Sequence, residues 1–452
     1  MSGLLNSIGS VIWGAPMLIF FLGVALYYSF KSRFFQVRGF GIWTKETAGS
    51  LLKKDKKGGG ISQFGAFCSV LAACIGTGNI VGVATAIYSG GPGAVFWMWI
   101  SAVISMMTAY AENYLGIKYK TRSPDGKISG GAHQYMEHGV KMKGMAKVYA
   151  VFCIFSTLGM GDMAQANSVT SSLESEFHFS KYITGAVMTL LCLVIISGGV
   201  KRISKFSELT VPLMSVSYII LSAAVLIAYR QNILPSISLI FKEAFSFKAL
   251  SGYGAFKAMR YGISRGVFSN EAGLGSSTII HSQTDETAEN QGMWAMFEVF
   301  CDTVLLCTVM ALVILVSGVS QNNSQLYGAE LSIASYSVLG KIGTGGIAVL
   351  TAVFAFASLT GCSFYGEKSA EYLLGNNARK TYRIVYIIFS FIGSVTSPET
   401  VWAAADIFNG LMAVPNLFSL VVLRNEVEYP EKTKNHNVKK DKLSSVDMLC
   451  KI

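Results

Sequence analysis

Gly76, Gly78 and Gly82 stand beside Thr77 and Asn79 in the middle of an apolar run from about Phe64 to Tyr88. A run of that length reads as a membrane-spanning helix, yet glycine weakens a helix and lets the backbone leave it. A helix broken at mid-membrane depth exposes N–H and C=O groups that lipid cannot satisfy, so they must face protein or a water-filled cavity. Freed N–H groups suit a carboxylate, and freed carbonyls suit an ammonium or Na+. Discontinuous helices build transport sites in this way. Taken alone, the run also fits a small-residue face that packs helices together. A second interrupted segment, about 252–281, favours the broken helix. It carries Arg265-Gly266-Val267-Phe268-Ser269-Asn270-Glu271-Ala272-Gly273-Leu274-Gly275. Interrupted spans in corresponding places of two halves point to a transport site.

The elements that must position these segments follow from composition and charge. The 452 residues are 52% hydrophobic and only 14% charged, as expected of an all-α polytopic protein of the cell membrane. The net charge of +11 does not suggest nucleic acid, because Lys and Arg cluster in short loops between apolar runs. One such loop holds Lys31, Arg33, Arg38, Lys45, Lys53, Lys54, Lys56 and Lys57. A second holds Lys118, Lys120, Arg122, Lys127, Lys141, Lys143 and Lys147, and a third Lys201, Arg202 and Lys205. Placing these inside puts the N-terminus outside and the basic C-terminus in the cytoplasm. Residues 1–10 carry no charge, so no cleavable signal with a basic start is expected. The first run, about Val11 to Phe30, is then a span in its own right.

Further spans are expected at about Ala94–Ile117, Tyr149–Ser172, Ile183–Gly198, Leu209–Ile227, Met293–Val316, Ile347–Leu373, Val385–Val395 and Ala403–Leu423. With the two broken segments this makes eleven: one extra N-terminal helix, then five plus five. Because five is odd, the second unit enters the membrane with opposite orientation. The expected division is residues 1–57 (first helix and basic loop), 58–230 and 231–423 (the two five-helix units), and 424–452 (cytoplasmic tail). The long loop before Ile347 has room for a short re-entrant helix. The eight cysteines fall mostly within apolar runs at no paired spacing and read as reduced.

Three motifs carry a resemblance. Gly76-Thr77-Gly78-Asn79-Ile80-Val81-Gly82, the Arg265–Ser276 segment, and Phe354-Ala355-Phe356 through Gly361, Ser363 and Tyr365-Gly366-Glu367 resemble signatures of the alanine or glycine:cation symporter family. The likeness runs from Gly60 to Leu423. It implies a leucine-transporter-type inverted repeat with broken first and sixth core helices, and a sodium-coupled amino-acid symporter working by alternating access. Within that fold Gly76, Thr77, Gly78 and Asn79 would cradle the substrate carboxylate. The carbonyls of Ala72, Ile75 and Phe354, with Ala357 and Ser358, would face Na+, a hard cation that takes oxygen ligands. Ala357 stands where relatives commonly carry a hydroxyl, which leaves Thr360 or water to replace it. Cys74 and Cys362 replace the family's usual Thr and Trp, removing one side-chain ligand and widening the pocket near 362.

The resemblance also places Gln165 and Asn270 on helices lining the site, where amides that donate and accept suit a zwitterion. Asp162, three residues before Gln165, is expected on the same helix face, either on the substrate ammonium or in a gate. Arg265 and Glu271 are expected to pair across the second break, and Glu298 and Asp302 to bond each other inside the bundle. Glu112, Glu367, Lys368 and Asp406 read as structural or gate-lining. Phe268, Met163, Ile75 and Phe356 would crowd any side chain longer than a methyl, each rejected methylene being worth roughly 1–3 kcal/mol. Alanine is therefore the expected substrate, then glycine, with both alanine enantiomers admitted. Proton coupling through Asp162 or Glu298 is the rival to sodium, and a channel or non-transporting receptor is a further class. No enzyme is expected, because no Ser/His/Asp, Cys/His or metal-binding set falls at interpretable spacing. His133 and His138 are expected in a cytoplasmic loop, and neither an organic cofactor nor a nucleic-acid partner is implied.

Overall fold

The computed structural model describes residues 7–9, 11–50, 61–122, 128–245, 253–322 and 325–430. The expectations for Lys53, Lys54, Lys56, Lys57, Lys127 and the tail beyond 430 lie outside these residues. Among the described residues, six helices are long and apolar enough to cross a membrane, or seven with one bent pair. Two shorter apolar helices, Ala15–Lys31 and Lys181–Ser197, accompany them.

The chain opens with α1 (Ala15–Lys31), whose second residue is Pro16, a residue preorganised for a helix start. Ser62 caps α2 (Gln63–Cys74), its hydroxyl accepting from the Gly65 amide at 2.8 Å. The helix then breaks at Ile75 (ψ 78°) and resumes through a wide turn over Gly78–Gly82 into α3 (Val83–Gly90). The two pieces are bent by 46°. Gly91, at φ 75°, turns the chain into α4 (Gly93–Lys118). After a two-stranded hairpin, β1 (Thr121–Arg122) and β2 (Ile128–Ser129), α5 (Lys143–Ser156) passes through a wide turn at Thr157–Met163 into α6 (Ala164–Phe177). Then come α7 (Lys181–Ser197), α8 (Gly199–Ala228) and α9 (Ile233–Ala244).

The second half begins with α10 (Tyr253–Asn270), a non-helical stretch, and α11 (Thr278–His281). Next, α12 (Ala288–Val299) joins α13 (Thr308–Ser317) through a further wide turn, Phe300–Cys307. A short helix, α14 (Ala329–Ala334), precedes the long α15 (Gly340–Leu374), α16 (Ala378–Val395) and α17 (Pro398–Val422). Wide turns, with one extra residue per turn, often mark functional sites.

Burial separates scaffold from lipid face. The apolar window of α15 is 78% buried and that of α8 only 28%. Leu209, Leu213, Val216, Ile220 and Ile227 of α8 are exposed, as lipid-facing side chains must be. Helix α15 runs through the middle, packed on α2, α5, α6, α8 and α16, while α4 packs on α10 and α12.

Several boundaries differ from expectation. Lys201, Arg202 and Lys205 are not in a loop: α8 starts at Gly199 and all three point outward from its first turns. Helix α15 starts seven residues before Ile347. Helix α9, with Pro235 near its start, was not expected. His133 is not in an open loop but buried at 1% exposure in a short helical turn at 132–134, its ring on Tyr372. The loop before α15 does hold a short helix: α14 sends the Ser332 hydroxyl to the Ile80 carbonyl at 3.2 Å, touching the broken span.

Candidate functional site

The first break is short. At Gly76 the amide turns back to the Cys74 carbonyl (2.8 Å), and the Thr77 amide donates to Gln165 Oε1 on α6 (3.2 Å). In a continuous helix those two amides would serve the carbonyls of Ala72 and Ala73. The Ala73 carbonyl instead accepts the Ser358 hydroxyl of α15 at 2.5 Å, with the Cys362 thiol 3.8 Å away. The backbones approach so closely that a Cβ on Gly76 would meet Ser358 Cβ at 2.7 Å and Gln165 Oε1 at 2.9 Å. On the other side, a Cβ on Gly361 would lie 2.9 Å from the Ala73 amide nitrogen. Gly76, Thr77, Gln165 and Ser358 are therefore brought together.

The carbonyl that meets Ser358 is that of Ala73, one residue beyond the expected Ala72 and two short of Ile75. Ala357, with no side-chain oxygen, lies beside it, and Phe354 turns its ring edge-on to Tyr218 (5.7 Å). Thr360 spends its hydroxyl on the Ala357 carbonyl of its own helix (2.8 Å).

Asn79 faces elsewhere. Its amide nitrogen donates to the Asp302 carboxylate (2.8 Å) and carbonyl (3.0 Å). The Thr303 hydroxyl donates to the other Asp302 oxygen (2.7 Å) and accepts from the Asn270 amide (3.0 Å). A hydrogen-bonded chain Asn79–Asp302–Thr303–Asn270 thus joins the two breaks through the wide turn at 300–307. Thr303 carried no signal in the sequence that would have singled it out.

The second break follows Asn270. Glu271 takes φ +54°, Gly273 +89° and Gly275 +75°. Only glycine adopts such angles freely, so Glu271 is held there by its surroundings. The Ala272 amide donates to Asn270 Oδ1 (3.0 Å), and the Gly273 amide to Glu112 (3.2 Å). Asn416 donates to the Gly273 carbonyl (2.9 Å) and to Glu112, and the Tyr149 hydroxyl to the Leu274 carbonyl (3.0 Å). Glu112 is an anchor for the loop, in keeping with a structural role.

The expected polar pairs are re-sorted. Arg265 pairs with Asp406 of α17, not with Glu271. Arg265 lies within α10, whereas Glu271 is past its end at φ +54°, so the two do not share a helix face. The Arg265 guanidinium also lies 5.4 Å from the Trp402 ring and 5.6 Å from that of Phe268, and the two rings stack at 4.7 Å. Glu271 instead accepts from Ser276. Glu298 does not bond Asp302 but pairs with His281 (2.9 Å), because the wide turn that holds Asp302 rotates it toward Asn79.

Asp162, inside the wide turn at 157–163, accepts from Ser390 on α16, whereas Gln165 accepts from Thr77. Phe268 stands with Val81, Met160 and Trp402. Phe356 leans instead on Phe206 (5.8 Å, edge-on) and Met163 packs under Gly393, so the four bulky neighbours do not converge.

Known proteins share this chain along its whole length. The model of the sodium:alanine symporter family matches residues 1–447. An uncharacterized transporter of Haemophilus influenzae is 39% identical over 448 residues, covering 96% of each chain. The sodium/alanine symporter AgcS of Methanococcus maripaludis is 38% identical over 434 residues, 94% of this chain and 95% of that one. A crystal structure of the Eremococcus coleocola manganese transporter, in complex with an aromatic bis-isothiourea substituted compound, aligns with a TM-score of 0.50 at 15% identity. It covers 85% of this chain and 84% of that one, a likeness of fold alone. The chain belongs to the sodium:alanine symporter family, a multi-pass membrane protein built for cation-coupled amino-acid symport.

Proposed function

We propose that this protein imports alanine, and next glycine, together with Na+ by alternating access. The eleven-helix, five-plus-five inverted repeat, with residues 58–230 and 231–423 as its halves and the N-terminus outside, is part of that reading. The observation that carries it is the break at Gly76. It leaves backbone amides and carbonyls facing Gln165 on one side and Ser358 on the other, inside a membrane-spanning bundle.

The substrate carboxylate meets the amides of Gly76, Thr77, Gly78 and Asn79, displacing the Cys74 carbonyl from Gly76 and Gln165 Oε1 from Thr77, with Asn270 and Phe268 closing from the second broken helix. The buried Thr77 hydroxyl, without a hydrogen-bond partner among the described residues, supports this placement. Na+ enters the contact between α2 and α15, taking oxygens from Ser358 and from carbonyls around residues 72–75, 354 and 357. Asp162 and Phe356 face the scaffold, and their contribution to binding is indirect.

Na+ at the α2–α15 contact stabilises the conformation whose broken helix accepts alanine, so each ligand tightens the other by the same factor. Once both are bound, the Asn79–Asp302–Thr303–Asn270 chain transmits movement of one break to the other. The membrane potential adds about 2.3 kcal/mol per charge per 100 mV. Equilibrium binding of radiolabelled L-alanine to purified protein, titrated with NaCl against KCl at fixed pH, tests the reading. Tightening by Na+ supports it, and equal binding in K+ contradicts it.

A further inference from the structure

Behind the second break lies a small cavity with room for about one water molecule. Its walls include Ser156, Thr157, Glu271, Ser276, Cys362 and Tyr365. We propose that this cavity is a second monovalent-cation site with Glu271 as its charged ligand, distinct from the contact at Ser358. The proposal rests on the reading of the chain as a cation-coupled symporter.

Four observations carry it. Glu271 is 3% exposed, and among the described residues its carboxylate accepts only from Ser276 and, at 3.9 Å, from the Cys362 thiol. Among the described residues no Lys or Arg pairs with it, and a carboxylate buried in a membrane demands a compensating charge. Tyr365, 1% exposed, lines the same cavity, and its hydroxyl has no hydrogen-bond partner among the described residues. Ser276 and Ser156 give their protons to Glu271 and Asn409, which leaves their oxygen lone pairs free for a cation. Finally, Glu271 is the first residue past α10, at the negative end of a half-helix, where membrane transporters coordinate cations.

Oxygen donors of this kind suit Na+ or a proton held on the carboxylate. The volume suits neither an amino-acid side chain nor a hydrated ion. Cys362 links this site to the first one. Its sulfur lies 3.9 Å from Glu271 Oε1, 3.8 Å from the Ala73 carbonyl and 4.0 Å from the Ser358 hydroxyl. A charge in either place is therefore felt in the other.

The test is the charge moved per alanine, read from reversal potentials in proteoliposomes for wild type, Glu271→Gln, Tyr365→Phe and Ser276→Ala. Wild type carries more than one charge per alanine, and Glu271→Gln carries one fewer. If the second cation is Na+, the Na+ Hill coefficient falls with it. If it is a proton, the Na+ Hill coefficient holds and the response to an imposed pH gradient disappears. Tyr365→Phe and Ser276→Ala keep the charge ratio but raise the half-saturating concentration of that cation at least about fivefold, as loss of one ligand oxygen should. They carry the test should Glu271→Gln not fold. An unchanged charge ratio in folded Glu271→Gln, or unchanged cation dependence in both milder variants, overturns the proposal. Loss of alanine binding in Glu271→Gln at saturating Na+ also overturns it, by giving Glu271 to the substrate. Failure of the symporter reading itself would appear earlier, as wild-type alanine binding that ignores Na+.

Discussion

Ser358→Ala removes a hydroxyl that donates to the Ala73 carbonyl at 2.5 Å, with both residues at 0% exposure. Without a cation the change leaves a buried carbonyl one donor short, about 1–3 kcal/mol. With Na+ in the contact it removes one ligand oxygen. Treated as a hydrogen bond to a charged group, that oxygen contributes about 1.5–3 kcal/mol. Half-saturation by Na+ should then rise about 10- to 150-fold. The assay is L-alanine uptake into proteoliposomes at saturating alanine, with external Na+ varied against choline. Ser358→Thr keeps the hydroxyl and should stay near wild type. Thr360→Val removes a hydroxyl directed at its own helix, at the Ala357 carbonyl, and should leave the Na+ dependence alone. A shift below about twofold for Ser358→Ala is too small for a lost ligand and would refute this placement. So would an equal shift in Thr360→Val.

Three further outcomes are expected. Gly76→Ala should abolish uptake while the protein still folds, since its Cβ would lie 2.7 Å from Ser358 Cβ. Overpacking of this kind costs about 1–3 kcal/mol, and size-exclusion profiles with uptake assays check both halves of that expectation. Asp406→Asn leaves the Arg265 guanidinium, 9% exposed, without its carboxylate. Loss of about 3 kcal/mol should lower the thermal unfolding midpoint in detergent, with Asp406→Glu recovering part of it. His133, outside the spans, is pushed by burial, and then by the nearby Lys368, from 6.5 down to about 3. The folded protein therefore binds fewer protons than the unfolded chain between those values, so stability rises with pH across that window. Thermal midpoints should fall as pH drops from 6.5 towards 4, and His133→Gln should flatten the slope.

Much of the architecture was legible in the residues. The glycines at 76, 78 and 82, and those at 273 and 275, mark both breaks because backbone that leaves a helix inside a membrane needs them. Apolar run length located α4 to within one residue at each end, while α16 starts seven residues before the run expected there. It failed at α8, where Lys201, Arg202 and Lys205 extend outward from a helix that continues beneath them, as long basic side chains can. The partnerships of the polar residues were less legible. Asp162 and Asp302 sit inside wide turns whose extra residue rotates everything that follows, so regular helical spacing misassigned both. Arg265 finds Asp406 across 141 positions of chain, a pairing that local spacing cannot express. The meeting of Gly76, Gln165 and Ser358 was anticipated by family resemblance rather than by periodicity. His133 lies in a stretch between spans that reads as a cytoplasmic loop, yet tertiary packing on Tyr372 buries it.

The central claim is that alanine and Na+ cross together. Its most direct measurement is the accumulation of L-alanine in proteoliposomes under an inward Na+ gradient, with internal and external pH held equal. Concentration of alanine above the external level, collapsing when the Na+ gradient is dissipated, is the predicted result. Uptake that only equilibrates, or that concentrates alanine without Na+ when a pH gradient is imposed, would contradict it.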